Sequence, residues 1–203
     1  MLKRVFDIVF SAGWLVGFAP LLLVVAILVR LKLGSPVLFV QERPGLRARP
    51  FRMVKFRTMT DECGPDGELL PDEQRLTSFG RFLRATSLDE FPEMWNVLIG
   101  DMSVVGPRPL LMRYVSRYSP FQARRMEVKP GVTGWAQING RSAIGWDEKF
   151  ALDVWYVDHR TFWLDMKIVV MTFFKVLARS GAERAEGAEP LGEFRGDGKS
   201  LAR

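Results

Sequence analysis

The chain has almost none of the residues that form disulfides, metal clusters and hydrolytic triads. Cys63 is the only cysteine and His159 the only histidine among 203 residues. A single cysteine excludes an internal disulfide and a cysteine metal cluster, which is consistent with a reducing compartment. A Ser-His-Asp triad would have to use His159, but this residue lies in a polar break before an apolar run, which favours a solvated loop position.

The sequence also lacks the common nucleotide-binding strings, since it contains neither Gly-x-Gly-x-x-Gly nor a P-loop. Acidic residues are in the minority, with 23 Asp and Glu against 29 Lys and Arg and a net charge of +6. Such a balance suits nucleic acid, anionic lipid or a phosphorylated small molecule. The basic residues are scattered among Trp and Phe rather than grouped in one run, so we expect no nucleic-acid partner.

One long apolar run lies near the amino terminus. Residues 8–29 carry no charge over 22 positions, and as a helix they would be about 33 Å long, enough to cross a bilayer's hydrocarbon core. Pro20 lies near the middle, where it removes a helical hydrogen bond. Basic residues flank both ends, which favours both ends on the cytoplasmic side: Lys3 and Arg4 before the run, Arg30 and Lys32 after it.

A re-entrant helix broken at Ala19-Pro20, which enters the bilayer and returns, satisfies both observations. A kinked membrane-spanning helix is the alternative, because such helices tolerate proline. Asp7 follows Lys3 by four residues and Arg4 by three, so the three side chains share one helical face. They are predicted to pair with one another and to anchor the helix at the membrane interface, or to form an ordinary surface ion pair.

The rest of the chain predicts short strands and helices, an α+β arrangement that is mostly helical. Strands are expected at 37–40 and 51–56, loops at 61–71 and 128–144, and helices at 76–84, 91–99, 110–118, 120–125, 146–156 and 161–179. The last helix lies either in the core or in the membrane interface. We divide the chain into an anchor (1–33), a catalytic domain at the membrane surface (34–180) and a mobile tail (181–203).

The residues that carry chemistry begin with the adjacent carboxylates Asp89 and Glu90. An ionised carboxylate can attack phosphorus without a base and form an acyl phosphate. The second carboxylate can hold Mg²⁺, with substrate phosphates and water as the other ligands. A helix cap is the structural alternative, either as a Ser87-x-x-Glu90 capping box or with Asp89 as the cap and Pro92 in the first turn.

Arg108 stands between Pro107 and Pro109, which restrict the backbone on both sides. Its guanidinium is suited to bidentate contact with phosphate oxygens, although a surface turn arginine is the alternative. Further candidate phosphate contacts are Arg84, Lys55 and Arg57.

A glycine-rich stretch from Pro130 to Arg141 supplies a second candidate region. Glycines allow a backbone to approach a ligand closely, Trp135 offers a stacking face, and Gln137, Asn139 and Arg141 offer polar contacts. These features suit a nucleotide-sugar pocket, and a packed structural loop is the alternative.

In their order along the chain, these residues resemble the monotopic phosphoglycosyl transferases, the bacterial sugar transferase family that initiates glycoconjugate assembly. The resemblance covers about residues 1–180 and rests on these strings: Lys3-Arg4-Val5-Phe6-Asp7, Phe18-Ala19-Pro20, Gln41-Glu42-Arg43-Pro44-Gly45, Lys55-Phe56-Arg57-Thr58-Met59, Ser87-Leu88-Asp89-Glu90, Gly100-Asp101-Met102-Ser103, Gly106-Pro107-Arg108-Pro109 and the Pro130 to Arg141 stretch.

The resemblance implies transfer of a sugar phosphate from a UDP-sugar to polyprenyl (undecaprenyl) phosphate, with release of UMP. Asp89 would be the nucleophile of a covalent phosphosugar intermediate, Glu90 the Mg²⁺ ligand and Arg108 a phosphate contact. The first helix would be a re-entrant anchor at the cytoplasmic face of the bacterial inner membrane. Downstream glycosyltransferases are possible partners.

Two details refine what the resemblance implies. The family often has serine before the proline of the helix break, whereas this chain has Ala19, so the freed backbone groups need another partner. Residues 146–156 and the Arg179-Ser180-Gly181 string resemble members that use N-acetylated diamino-trideoxy sugars such as UDP-diacetylbacillosamine. A non-enzymatic membrane adaptor with the same fold is the competing hypothesis, which the intact Asp89-Glu90 pair and Arg108 disfavour.

Overall fold

The computed structural model describes residues 1–139, 144–179 and 192–196, and this part is α+β and mostly helical, as expected. Its helices are α1 (Leu2–Gly17), α2 (Ala19–Lys32), α3 (Asp72–Arg75), α4 (Ser78–Ala85), α5 (Glu93–Ile99), α6 (Pro120–Ala123), α7 (Trp135–Asn139), α8 (Trp146–His159) and α9 (Phe162–Arg179). Its strands are β1 (Leu38–Pro44), β2 (Pro50–Phe56), β3 (Ser103–Val105) and β4 (Gly131–Thr133). Short 3-10 helices lie at Leu46–Ala48, Leu88–Glu90, Met112–Arg117 and Arg124–Glu127.

The apolar amino-terminal run forms two helices that meet at a bend of 62°. Among the described helices, none is by itself long and apolar enough to cross a membrane, whereas α1 and α2 taken together satisfy that test by length and composition. Pro20 lies in the first turn of α2, where its missing N–H costs little. The Phe18 amide donates to Trp14 O (2.9 Å), which continues the hydrogen-bond pattern of α1 up to the break, and the Leu22 amide donates to Phe18 O (2.8 Å), which begins that of α2.

Asp7 is a docking residue of α1, and the prediction that it pairs with Lys3 and Arg4 is wrong. Its side chain is only 3% exposed and accepts hydrogen bonds from Ser103 Oγ and the Val104 amide, each 3.0 Å long. A buried carboxylate needs several hydrogen-bond donors. The start of β3 supplies two of them, whereas Lys3 and Arg4 bind other groups.

Lys3 and Arg4 also attach α1 to the body of the protein. The Lys3 ammonium lies 2.6 Å from the buried Asp165 carboxylate of α9. The Arg4 guanidinium donates to Val97 O and Leu98 O, each at 2.7 Å, at the carboxyl end of α5 where helical carbonyls lack partners. These long-range contacts fix α1 to the rest of the protein, and the role of these residues as membrane-interface anchors stays a prediction.

The β1–β2 hairpin is antiparallel, with Phe39 opposite Lys55 and Leu38 opposite Phe56. Buried Asn96 ties α5 to this hairpin, because its side chain donates to Arg52 O (2.8 Å) and accepts from the Val54 amide (3.0 Å). The residues that precede α5 are thereby held against β2.

The glycine-rich stretch is not the loop that the sequence predicts, since it contains β4 and α7. Strand β4 pairs in parallel with β3, and a Cβ on Gly131 would lie 2.0 Å from the Gly106 amide nitrogen. A Cβ on Gly134 would lie 2.2 Å from Gly106 O. Gly131 and Gly134 therefore allow two backbone segments to pack closely, and a contact of this stretch with a ligand stays a prediction.

Three further expectations differ in detail. The helix expected at 110–118 is a 3-10 helix at Met112–Arg117. Helix α9 buries Asp165 and Ile168 and exposes Trp163 and other apolar side chains, so it is a core helix on one face, and its contact with a membrane interface stays a prediction. The tail expected at 181–203 contains a packed segment at 192–196, where Phe194 is buried against aromatic rings of the body.

Candidate active site

A cleft of about 670 Å³ opens beside the hairpin and contains five of the six residues predicted to be catalytic or to bind phosphate, while Arg108 is not part of its lining and contacts it through Glu90. Its lining comprises Pro36, Leu38, Phe39, Gln41, Arg43, Met53, Lys55, Phe56, Arg57, Thr58, Met59, Asp61, Asp72, Arg75, Arg84, Asp89 and Glu90. Basic and acidic side chains are interleaved there, as expected for a site that binds an anionic ligand through arginine and lysine.

Asp89 lies in the Leu88–Glu90 turn and is 8% exposed. The turn begins at Ser87, which has a left-handed backbone (φ 57°) and whose side chain makes no capping hydrogen bond. Pro92 occupies the cap position of α5, so neither capping interpretation describes this pair. Burial raises the pKa of Asp89 to about 6, with a further increase from the Glu90 charge and opposition from Lys55, Arg84 and Arg108.

Glu90 forms ion pairs with two basic residues, Arg108 and Lys55. Arg108 binds it with two nitrogens, Nη1 to Oε2 at 3.2 Å and Nη2 to Oε1 in a shorter contact. The Lys55 ammonium lies 3.1 Å from the same Oε1. Burial acts to raise the pKa of Glu90, but the charges and hydrogen bonds of Arg108 and Lys55 outweigh it and lower the pKa to about 2. Glu90 is therefore ionised throughout the neutral range.

The Arg108 loop, defined as Gly106 to Pro109, is held by backbone contacts to the glycine-rich stretch. The Gly106 amide donates to Thr133 O (2.9 Å) and the Gly131 amide to Pro107 O (3.0 Å). Glu90 and the other nearby carboxylates raise the pKa of Arg108 against the effect of burial. The two prolines and the glycine contacts thus present a permanently charged guanidinium to Glu90.

Arg125 supports the Arg108 loop from behind, and sequence reasoning missed this role. Its Nη2 donates to Arg108 O at 2.8 Å, and the same nitrogen lies 2.6 Å from Asp153 Oδ2. Tyr118 Oη accepts from Arg125 Nη1 at 3.2 Å. Arg125 and Asp153 are both almost fully buried. An aspartate within the apolar face of α8 was the available signal, because a buried charge requires a partner.

Glu93 is a third acidic residue of the site that sequence reasoning missed. It is 1% exposed, lies one turn after Glu90, and its Oε1 is 3.0 Å from the Lys55 ammonium. Neither of its oxygens has a well-aligned hydrogen bond within the described residues. Burial raises its pKa. Lys55 is therefore shared between two carboxylates, and the spacing of Glu93 from Glu90 was the signal that could have identified it.

The other two candidate phosphate contacts, Arg84 and Arg57, differ in how many of their nitrogens are already hydrogen-bonded to the protein. Arg84 donates through Nε to Thr58 Oγ1 at 3.0 Å, and its terminal nitrogens have no partner within the part of the chain that the structure describes. Arg57 donates to Met59 O (2.7 Å) and Ser35 O (2.6 Å) and pairs with Asp61. Arg57 thus orders the cleft wall, and its contact with phosphate stays a prediction.

The candidate nucleotide-sugar residues of the glycine-rich stretch do not line this cleft. Trp135 stacks on Trp155 at 4.7 Å, Gln137 donates to Val132 O, and Asn139 donates to Trp135 O. Arg141 lies outside the described residues. The structure therefore places the three described residues in packing interactions, and their contact with a nucleotide sugar stays a prediction. His159, exposed at the end of α8, stacks on Trp155 away from the cleft.

The hairpin supplies the cleft with one exposed aromatic ring. Phe39 is 48% exposed and lies directly opposite Lys55, so both side chains share one face of the hairpin. Gln41 follows on that face, with its Oε1 bound to Arg43 at 2.6 Å. The exposed ring of Phe39 thus offers a flat apolar surface next to Lys55.

Comparison with known proteins places this arrangement in a family. The family model described as bacterial sugar transferase matches residues 1–179. The uncharacterized sugar transferase EpsL of Bacillus subtilis (strain 168) is 56% identical over 184 residues, which is 91% of each chain. The UDP-glucose:undecaprenyl-phosphate glucose-1-phosphate transferase of Caulobacter vibrioides is 40% identical over 89% of this chain and 71% of its own.

A third relative, named UDP-N-acetylgalactosamine-undecaprenyl-phosphate N-acetylgalactosaminephosphotransferase, comes from Aeromonas hydrophila. It is 36% identical over 89% of this chain but only 45% of its own length, so this chain corresponds to less than half of that larger protein. The match of the family model to nearly the whole described body, together with these identities, confirms the resemblance seen in the motifs. The chain belongs to the bacterial sugar transferase family.

Proposed function

We propose that this protein is a phosphoglycosyl transferase that moves a sugar-1-phosphate from a UDP-sugar to undecaprenyl phosphate and releases UMP. The observation that carries the proposal is the buried Asp89 in one cleft with Glu90 and Lys55, where Glu90 is also bound by Arg108. The names of the Caulobacter vibrioides and Aeromonas hydrophila relatives support the same reaction class. The two relatives are named for different sugars. The sugar that this protein transfers, including the proposed diacetylated bacillosamine type, is therefore to be identified by UMP release from a panel of UDP-sugars.

Asp89 is proposed to be the nucleophile of a two-step reaction. One of its carboxylate oxygens forms a bond to the sugar-bearing phosphorus while the bond from that phosphorus to the UMP oxygen breaks. An oxygen of the acceptor phosphate then attacks the same phosphorus and the aspartyl oxygen leaves, which restores the carboxylate. Burial of Asp89 favours this role, because desolvation makes an ionised carboxylate more reactive toward an anionic substrate held by nearby cations.

The cations of the cleft are proposed to stabilise the charge that develops on phosphate. Arg108 contributes its charge while its two terminal nitrogens hold Glu90, and the terminal nitrogens of Arg84 make no hydrogen bond in the described structure. Preorganised charges of this kind lower the barrier, because they need no rearrangement during the reaction. Phe39, beside Lys55, offers the apolar surface against which we place the sugar ring of the donor.

Mg²⁺ is proposed as the cofactor, with Glu90 as its protein ligand. Within the described residues no three acidic, His or Cys side chains are grouped as a metal site, so substrate oxygens and water must complete the shell. Glu90 fits this role, because it is ionised, lines the cleft, and its Oε2 accepts only one hydrogen bond. When bound, Mg²⁺ would neutralise charge on the diphosphate.

We further propose that α1 and α2 form a re-entrant anchor at the cytoplasmic face of the bacterial inner membrane. The 62° bend, the exposed apolar side chains along both helices and the basic flanks support this placement. The nucleophile would then act close to the lipid boundary, where a polyprenyl phosphate presents its head group.

UMP release from a panel of UDP-sugars tests the proposed function. The full chain in detergent or nanodiscs, with Mg²⁺ and undecaprenyl phosphate, is expected to release UMP from one UDP-sugar well above the others. Omission of the acceptor should leave a protein heavier by one phosphosugar, as measured by intact mass spectrometry. If no UDP-sugar gives UMP release, the proposed activity is wrong and the hypothesis of a non-enzymatic membrane adaptor is favoured.

Activity is expected to depend on pH through Asp89. Because burial and the Glu90 charge raise the Asp89 pKa to about 6, the carboxylate is protonated and inert below that pH. The value of kcat/KM for the UDP-sugar should therefore rise about tenfold per pH unit below 6 and become constant above it. Initial rates of UMP release from pH 5 to 8 measure this. A profile that is flat across pH 5 to 7 would contradict the assignment.

A further inference from the structure

The segment at residues 192–196, called the tail segment below, occupies the centre of an aromatic cluster of the body. Phe194 is 1% exposed, which makes it one of the most buried large side chains in the described structure. Four rings surround it, with centroid distances of 5.0 to 5.7 Å: Tyr114, Tyr118, Trp146 and Phe150.

Polar contacts fix the tail segment in one register. Arg117 Nη1 donates to Phe194 O at 2.6 Å, and Trp146 Nε1 donates to Gly192 O at 3.0 Å. Glu193 pairs with Arg117 at 3.1 Å. The segment therefore joins the 3-10 helix Met112–Arg117 to the start of α8 through its backbone, its aromatic ring and its charge.

A continuous series of contacts leads from Phe194 to the candidate active site. The Phe194 ring packs on Tyr118, and Tyr118 Oη accepts from Arg125 Nη1 at 3.2 Å. Arg125 in turn donates to Arg108 O at 2.8 Å, and Arg108 holds Glu90 with two nitrogens. If Tyr118 shifts, a buried guanidinium nitrogen loses its acceptor, which costs more than the loss of an exposed contact.

We propose that the tail segment is a latch that positions Arg108, with Phe194 as its positioning residue. Phe194 confines Tyr118, Tyr118 with Asp153 confines Arg125, and Arg125 fixes the carbonyl of Arg108. The catalytic consequence of the latch rests on the proposed function, whereas its structural consequence does not. The conformation of the Arg108 loop thus depends in part on the tail segment, which lies about 85 residues further along the chain.

Hydrogen–deuterium exchange of the full chain tests the latch without any substrate. Phe194→Ala is expected to speed exchange at the Gly106 and Gly131 amides, whose hydrogen bonds hold the Arg108 loop, while the amides of α5 keep their wild-type protection. Unchanged exchange at Gly106 and Gly131 in Phe194→Ala would overturn the proposal, as would an equal increase in α5. This result stands whether or not the protein releases UMP.

Kinetics of UMP release then test the effect on the reaction. Phe194→Ala is expected to lower kcat/KM about 10- to 100-fold, because small misplacement of a phosphate-binding group has effects of this size, and Phe194→Leu should retain most of the rate. Phe121→Ala is the matched control, since Phe121 is an exposed phenylalanine of α6. Equal losses in the two alanine variants, or no loss in Phe194→Ala, would refute the latch.

The route of the effect is tested by combining Phe194→Ala with Tyr118→Phe, which removes only the hydroxyl bound to Arg125. Residues that act through one contact give non-additive effects, so the double variant should lose no more activity than the more impaired single variant. Losses that multiply would overturn the route through Tyr118. If Phe194→Ala does not fold, Glu193→Lys replaces it, because repulsion from Arg117 should loosen the segment and lower kcat/KM while the core is unchanged.

Discussion

Asp89→Asn is expected to abolish turnover and to prevent any covalent modification of the protein. The asparagine keeps the size of the side chain but cannot attack phosphorus, so the first bond cannot form. Loss of a nucleophile typically lowers the rate by about 10⁴-fold or more. Intact mass spectrometry after incubation with the active UDP-sugar and Mg²⁺, without acceptor, should show the phosphosugar adduct on the wild type and none on the variant.

A matched control separates this effect from the loss of any carboxylate. Asp147→Asn changes an exposed aspartate in the first turn of α8 and should leave both the adduct and the rate within about twofold of the wild type, as is usual for surface substitutions. Normal turnover by Asp89→Asn would refute the two-step mechanism and favour one direct displacement by the acceptor.

Glu90→Gln is expected to have the second-largest effect and to change the response to metal. The amide keeps the shape of the side chain but carries no charge, so it binds Mg²⁺ weakly and leaves Arg108 and Lys55 without their shared anion. A fall of about 10²- to 10³-fold in kcat/KM is the usual size for the loss of one electrostatic group. The Mg²⁺ concentration for half-maximal rate should rise together with this fall.

The metal titration distinguishes the two roles of Glu90. A variant that loses rate but keeps the wild-type half-saturating Mg²⁺ concentration would remove Glu90 from the metal site and leave it as the partner of Arg108 alone. Glu148→Gln, at an exposed position of α8, is the control for which neither quantity should change.

The acidic centre of the candidate site could be predicted from the sequence because its two carboxylates belong to adjacent residues, and its chemistry stays a proposal. Asp89 and Glu90 are neighbours, and the prolines around Arg108 restrict its backbone locally, so short strings carried the information. The hairpin was also predictable, since β1 and β2 are separated only by a short turn. Glu93 and Arg125 were missed because their importance depends on burial and on partners that belong to other elements.

Contacts between distant segments account for the predictions that were wrong. Helical spacing suggested that Asp7 pairs with Lys3 and Arg4, but folding brings the donors of β3 to Asp7 and the Asp165 carboxylate to Lys3. Glycines in the 130–139 stretch suggested a loop, whereas the stretch forms β4 and α7, and Gly131 and Gly134 admit the Gly106 backbone. In a polar, Glu- and Gly-rich tail, Phe194 gave no periodic pattern from which a buried position could be inferred.

The attachment of α1 makes the apolar pair of helices α1 and α2 part of the same folded body as the rest of the described structure. Its aromatic residues Phe6, Phe10 and Trp14 pack on the main core, and Asp7 satisfies the polar start of β3. Deleting α1 would uncover that core and leave the Ser103 hydroxyl and the Val104 amide without their acceptor, so a fragment that lacks α1 is expected to be less stable. The apolar exterior of α1 and the core beneath it therefore belong to one folding unit.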